Sequence, residues 1–311
     1  MPSGKDNMGE RILVCIPSYR NPERLKECLG LIRSIDRRNR TVETVVVDSG
    51  TDPAELHKAI GRFEGVALVT MENRGYVGCV NAGLRRAIEN GFDYMLVVTD
   101  DARVESGILD GLIPPLAADE RAAVCGCKVL HLSKDRNGGV RTVVMPGGFL
   151  GHWAFPKGRN IPEDSTGLAK CDWVNGAVFA LKVRVFRELG PLDESFFMYF
   201  DELDLGLKLK RAGYHALYNP GVSVVHESGS GFYGITSGKG GAYARYYLTR
   251  NVALLYYKKS IASFLYFLPY YLFISALRSA VLTLKGRPDC GLAVLRGVKD
   301  FFAWNLGRGP Y

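Results

Sequence analysis

Arg11-Ile12-Leu13-Val14-Cys15-Ile16-Pro17-Ser18-Tyr19-Arg20-Asn21-Pro22 opens on an unbroken apolar run and stops in a polar, proline-bounded loop. The run reads as a buried strand that ends at Pro17, which has no N–H to give a ladder. Leu25, Leu29 and Ile32 follow at helical spacing to about Ile35. Thr44 to Val47 is a second strand, ending in Asp48-Ser49-Gly50-Thr51-Asp52. A helix from Pro53 to about Phe63 and a strand from Val66 to Thr70 complete the series. Strand, helix, strand, helix, strand is the signature of a parallel sheet with crossover helices. Ligands of such sheets bind beyond the carboxyl ends of the strands. The loops at 17–22 and 48–52 lie there. Asp48 is placed either to accept hydrogen bonds from a base or ribose or to close its own turn.

Working outward, Asn73-Arg74-Gly75-Tyr76-Val77-Gly78-Cys79-Val80-Asn81-Ala82-Gly83 is a glycine-bearing loop leading into a helix from about Val80 to Asn90. A helix N-terminus suits an anion, although the glycine spacing is not the dinucleotide fingerprint. Tyr94 to Thr99 is a short strand that ends in Asp100-Asp101. Two adjacent carboxylates at a strand end form a hard oxygen site suited to Mg²⁺ or Mn²⁺, or else a solvated acidic turn. Strands are expected at Val124–Leu130, Val140–Met145 and Trp173–Ala180, with a long loop from Pro146 to Ser165 and a helix over 183–189. Trp173 is either a stacking surface for a sugar ring or a core residue.

Phe196-Phe197-Met198-Tyr199-Phe200 then runs into Asp201-Glu202-Leu203-Asp204. Leucines 203, 205, 207 and 209 give a wide helical stripe, and Asp204 precedes Lys208 in the favoured order for an ion pair. Asp201 and Glu202 fall in the first turn, where the helix dipole favours an ionised carboxylate. A carboxylate beside an aromatic wall has the character of a general base. His215 to Tyr218 and Val222 to Val225 read as strands around an Asn219-Pro220-Gly221 turn. His226 follows, placed to complete a metal site, to contact a phosphate, or to do neither. Ser228 to Gly241, with Lys239, reads as a lid over an anionic ligand.

The 311 residues carry a formal charge of +8, which suits nucleotides, nucleic acid or an anionic membrane surface. Seven cysteines without zinc spacing suggest reduced core thiols and a cytosolic compartment. The polar start, Met1 to Glu10, has no signal-like apolar region. From Tyr243, arginines and lysines interleave with tyrosines, and Ile261 to Leu284 is almost wholly apolar, broken by Pro269 and Arg278. Basic residues on both flanks, and Arg278 within, favour helices lying on the membrane face. A true span and a packed helical subdomain are the other readings.

Taken in order, these motifs resemble the family 2 inverting glycosyltransferases of GT-A fold, in their rhamnosyltransferase- and galactofuranosyltransferase-like branch. The resemblance covers about residues 10–230. It implies an α/β fold, a mixed GT-A sheet flanked by helices over 10–235, followed by a C-terminal helical extension over 236–311. It also implies a nucleoside diphosphate sugar donor (dTDP- or UDP-linked), a glycan or lipid-linked glycan acceptor, Mg²⁺ or Mn²⁺, work at the cytoplasmic face of the cell membrane, and no nucleic-acid partner. By this resemblance Pro17, Tyr19, Arg20, Asp48, Asn73, Gly75, Asn81 and Asp100 meet the donor, Asp101 and His226 hold the metal, and Trp173, Asn175 and Tyr199 border the acceptor. Glu202, with Asp201 beside it, supplies the base. Two positions depart from the family pattern: Thr99 stands where the metal motif has an acid, and Glu202 stands where the acidic pair has Asp. A sugar-nucleotide pyrophosphorylase is the alternative enzyme, but residues 17–22 lack its glycine- and arginine-rich signature. A degenerate glycan- or membrane-binding protein is the non-enzymatic alternative.

Overall fold

The computed structural model describes residues 9–134, 140–145, 147–151, 161–226 and 241–311. Half of the expected 146–165 loop (146 and 152–160), and the expected lid at 228–241 apart from its last residue, lie outside the described residues. The chain alternates as expected through β1 (Arg11–Ser18), α1 (Pro22–Arg33), β2 (Thr41–Asp48), α2 (Pro53–Ile60), β3 (Val66–Thr70), α3 (Gly75–Glu89) and β4 (Tyr94–Val98). There follow β5 (Ala102–Arg103), α4 (Ile108–Ala118), β6 (Ala122–Lys134), β7 (Val140–Met145), β8 (Ala169–Cys171), β9 (Val178–Lys182), α5 (Val183–Leu189), α6 (Asp201–Arg211) and β10 (His215–His226). Helices α7 (Ala242–Lys259), α8 (Ile261–Leu284) and α9 (Pro288–Phe302) end the chain.

One mixed sheet runs in the order β3-β2-β1-β4-β9-β6-β10-β5, with β7 on β6 and β8 on β10. Strands β1 to β4 are parallel, and β9 enters antiparallel to both β4 and β6. Alternation on β1 builds two cores. Ile12, Val14 and Ile16 face α1, α2 and α4, while Leu13 and Cys15 face α3, α5 and α6. A strand covered on both faces needs apolar side chains in both directions, which is why 11–16 has no polar interruption. All seven cysteines are buried, and none forms a disulfide.

Several expected boundaries move. Strand β1 continues through Pro17 to Ser18. Ser18 accepts from Ser49 on the β2 side, so Pro17 faces β4, whose pairing with β1 has already ended at Cys15. The missing N–H therefore costs no ladder bond. Helix α3 starts at Gly75, five residues before the expected Val80, and most of the glycine-bearing stretch is helix rather than loop. Gly83 serves packing: a Cβ there would stand 2.3 Å from Cys15 Sγ on β1. The strand expected from Trp173 begins only at Val178, because Asn175 Oδ1 takes the Ala177 N–H in a tight local turn. Helix α4, for which the sequence reading names no element, carries Pro114 and Pro115 inside it. Asp204 does not pair with Lys208. It meets Lys258 of α7 at 2.6 Å, and Lys208 donates instead to the carbonyls of Gly190 and Pro191.

The C-terminal helices share a core with the acidic segment. Trp173, Phe196, Leu203 and Leu207 pack with Leu254, Tyr256, Phe267 and Phe301.

Candidate functional site

The carboxyl ends of β1, β2 and β4 carry Ser18, Asp48 and the Asp100-Asp101 pair, side by side as a parallel sheet places them. Asp48 is buried and occupied by its own loop. Its Oδ1 accepts from the Gly50 and Thr51 N–H groups at 3.0 and 2.8 Å, and its Oδ2 from the Thr51 hydroxyl at 2.5 Å. Asp48 closes its own Asx turn, which shapes the loop. Arg20 lies across that loop, its N–H on Thr51 Oγ1 and its Nε on the Gly50 carbonyl. Tyr19 is exposed beside it, 5.2 Å from the guanidinium. Pro17, expected at the donor, is buried within β1.

Asp100 accepts from the Ser18 hydroxyl at 2.9 Å. Burial, then the charge of Asp101, pushes its carboxyl up to about 7. Asp101 goes the other way. Burial alone would raise it, but His226, by hydrogen bond and by charge, outweighs burial and holds it below the ordinary value. His226 Nε2 stands 2.9 Å from Asp101 Oδ1, and Arg24 Nη1 is 3.8 Å from Oδ2. The other ring nitrogen of His226 lies 3.2 Å from Nδ1 of His131. Residues 226 and 131 are register partners on β10 and β6. His131 is buried, and desolvation together with His226 depresses its pKa to about 4. The sequence reading missed His131. It lies inside β6, three residues before that strand's end, and meets His226 only through the pairing of β6 with β10.

Among the described residues no group of three or more His, Cys, Asp or Glu side chains is arranged to hold a metal. The pair Asp101–His226 fits one nonetheless. Two adjacent ligands of an octahedral ion at about 2.1 Å stand about 3 Å apart, close to the observed 2.9 Å. Mg²⁺ in particular takes few protein ligands and fills the rest with phosphate oxygens and water.

The second cluster surrounds the start of α6. Phe197, Tyr199 and Phe200 all have left-handed backbones, at φ +62°, +66° and +66°. They turn the chain so that Asp201 and Glu202 enter the first helical turn facing inward. These two acids, with Trp173, Val174, Gly176 and Leu205, line a cavity of about 20 Å³, room for one water. Trp173 is buried and its indole N–H has no protein acceptor. Burial works against the helix dipole at both acids. Desolvation, then the neighbouring Glu202 charge, pushes Asp201 well up, and desolvation also raises Glu202. Burial opposes ionisation at both positions, and two carboxyls side by side do not readily both ionise, so the pair favours holding one proton between them.

The expected residues thus fall into two groups, joined by the 172–177 segment. The cavity of the acid pair does not include Asp100 or Asp101. The Thr99 N–H, at the end of β4, donates to Ala177 O at 2.9 Å, and Tyr76 OH donates to Gly176 O at 2.5 Å. Tyr76 was not singled out in the sequence, yet burial and the charges of Asp201 and Glu202 raise its pKa well above the ordinary value. Asn73, one residue ahead of the α3 N-cap, accepts the Gly75 N–H in a local turn. Gly75 has φ +75°, and a Cβ there would lie 2.2 Å from Phe197 O, so α3 abuts the aromatic turn directly. Asn81, expected at the donor, is fully buried. Its amide is spent on the Leu192 backbone and Glu194, a packing role. Asn175 and Tyr199 are half-buried at the edge of the acid cluster.

Residues 10–237 match the family described as glycosyltransferase like family 2. The chain is 24% identical over 209 residues to the N-acetylglucosaminyl-diphospho-decaprenol L-rhamnosyltransferase of Mycobacterium tuberculosis, a stretch covering 60% of this chain and 67% of that one. It is 24% identical over 258 residues to the dTDP-rhamnosyl transferase RfbF of Shigella flexneri, covering 82% of each. Among solved structures, the mannosyltransferase PcManGT of Pyrobaculum calidifontis, in complex with GDP-Man and Mn²⁺, superposes with a TM-score of 0.57 at 17% identity, over 98% of this chain and 90% of that one. GalNAc-T7 with UDP, GalNAc and Mn²⁺ superposes at 0.55 and 16% identity, over 72% of this chain and 44% of that one. The sheet order, the helices on both of its faces and these superpositions make the fold GT-A. With the family match spanning all the strands described above, the chain belongs to glycosyltransferase family 2, on its rhamnosyltransferase-like side.

Proposed function

We propose that the protein transfers a deoxyhexose, rhamnose before other hexoses, from a dTDP- or UDP-linked donor to a hydroxyl of a lipid-linked glycan at the cytoplasmic face of the membrane, with inversion at the anomeric carbon. The observation that carries this reading is the Asp201–Glu202 pair at the head of α6, which lines one small cavity with Trp173 and whose carboxyl pKa values burial raises. Glu202 takes the acceptor proton as its oxygen attacks the anomeric carbon, and the bond to the diphosphate breaks on the opposite face. Asp201 donates its hydrogen bond to Glu202 and keeps that carboxylate the better acceptor. Trp173, Asn175 and Tyr199 border the acceptor. Arg20 and the loop held by Asp48, with Asp100, Asn73 and the head of α3, border the donor. Asp101 and His226 would hold Mg²⁺ or Mn²⁺, which when bound offsets the charge collecting on the diphosphate. His131 orients the His226 ring from behind. Support for the sugar comes from two relatives named as rhamnosyltransferases, and support for the metal from two neighbours solved with Mn²⁺.

The test incubates the purified chain with a panel of dTDP- and UDP-sugars and a lipid-linked N-acetylglucosaminyl acceptor. The product is read by mass, and its anomeric configuration by NMR. A product with the configuration opposite to that of the donor supports the reading. Retained configuration overturns the single displacement, and release of pyrophosphate from a nucleoside triphosphate would reassign the enzyme as a pyrophosphorylase.

A further inference from the structure

Helix α8 is amphipathic the wrong way round for a soluble protein. The face it turns into the molecule carries Ser263, Ser275 and Ser279 among its aromatics. The face it turns to water carries Leu265, Tyr266, Leu272, Phe273 and Leu277, and ends on Leu284, which is 86% exposed. These positions recur at helical spacing, so they form one continuous stripe along 24 residues. By length and composition the helix could cross a bilayer, with a mean hydropathy of 1.4, and only 28% of that window is buried. Its mounting argues against crossing. One flank packs along α7 and α9. Helix α7 carries the buried Arg250 and Asn251, which bond to the backbone of the aromatic turn. A span would drag these polar groups and the acid pair into hydrocarbon.

We infer that the exposed face of α8 lies flat in the headgroup region of an anionic lipid bilayer, holding the acid-pair cavity at a fixed height above the membrane. This deepens the membrane part of the proposed function by naming the surface that docks. The charge is complementary: between residues 259 and 300 there are six Lys or Arg and two acids, Asp289 and Asp300, while Lys258 is engaged by Asp193 and Asp204. The same charges disfavour a second copy of the chain, because a symmetric pairing would set them against themselves. Exposed Trp304, in edge contact with Tyr257 at 5.3 Å, belongs to the ring types that settle at the water–lipid boundary.

The experiment is co-sedimentation of the full chain with phosphatidylglycerol/phosphatidylcholine vesicles and with phosphatidylcholine vesicles alone, for wild type and for Phe273→Glu/Leu277→Glu. Both positions are exposed, so the fold is not challenged, and the melting temperature verifies this. Wild type is expected to bind the anionic vesicles, and the double variant at least tenfold more weakly. Undiminished binding by the double variant overturns the inference. So does a wild type that stays in the supernatant while light scattering reports a dimer that the variant abolishes. Neither donor nor acceptor is present, so failure here leaves the glycosyl-transfer reading standing, and failure of that reading leaves vesicle binding intact.

Discussion

The side-chain amide of Asn251, on α7, donates to the carbonyl oxygen of Tyr199 at 3.1 Å, two residues before the acid pair. The same nitrogen lies 2.8 Å from the carbonyls of Phe196 and Met198, and Arg250 adds bonds to Ser195 O and Phe196 O. Both side chains are fully buried. Left-handed backbone costs a non-glycine residue roughly 1–2 kcal/mol, and three of the four residues from 197 to 200 adopt it. A helix that follows the sheet in sequence therefore holds the turn that aims Asp201 and Glu202.

Asn251→Ala should lower both stability and turnover. It takes the Asn251 donor from the Met198 and Tyr199 carbonyls, while Phe196 O keeps Arg250, a loss of about 3 kcal/mol when each orphaned group costs about 1–3 kcal/mol. Urea denaturation measures the first effect and steady-state kinetics the second. Because the turn relaxes, kcat should fall more than donor affinity does. A variant as destabilised as this with unaltered kcat would show that α7 supports the fold without aiming the acids.

Glu202→Gln should cost about 10²–10⁴-fold in turnover, the usual contribution of a positioned base, with donor binding unchanged by calorimetry. The partner separates two roles for Asp201. Burial raises Glu202, and the Asp201 hydrogen bond works against that rise. Asp201→Asn keeps a donor, so the acid limb of the kcat profile should stay in place. Asp201→Ala removes the donor and should move that limb to higher pH.

The pair also leaves a mark on stability. In the unfolded chain these carboxyls ionise near 3.9 and 4.3. Folding raises both, so above about pH 4 the native state holds more protons than the unfolded one. Stability contributed by the pair is then present at low pH and lost as pH rises towards the folded values, by about 1.4 kcal/mol for each pKa unit. Asp201→Asn should consequently gain on wild type between pH 5 and pH 8 in urea titrations. Parallel curves would mean that Asp201 is ionised in the folded protein.

Much of this was legible in the residues. Apolar strands ending in polar loops gave β1 to β4 in chain order, because a strand buried on both faces needs an unbroken apolar run. The head of α6 was visible for a similar reason, since an aromatic run meeting acids and then a period of 3.6 admits few local structures. What stayed hidden depends on partners distant in sequence. Asp48 and Asn81 look like ligand residues by type, and only the fold shows that Thr51 and Leu192 already use them. His131 matters through β6 lying parallel to β10, which no local pattern announces. Lys258 displaces Lys208 from Asp204 by reaching in from a helix more than forty residues away.

Metal dependence tests the other cluster. Asp101→Asn removes a charge from the pair that would hold the ion, and His226→Gln removes a nitrogen ligand. Each should abolish the gain in nucleotide-diphosphate binding that Mn²⁺ confers on wild type, measured by calorimetry with and without EDTA. His131 touches only the far nitrogen of His226, at 3.2 Å, so its loss should act by degree. A second-sphere change of this kind typically costs about 10–100-fold in metal affinity. His131→Phe keeps the volume and deletes the polar contact, and should give a right-shifted Mn²⁺ activation curve that reaches the wild-type plateau. A curve that neither shifts nor falls for all three variants would place the cation elsewhere, and Asp101 would then serve to hold Arg24 and His226 at the end of the sheet.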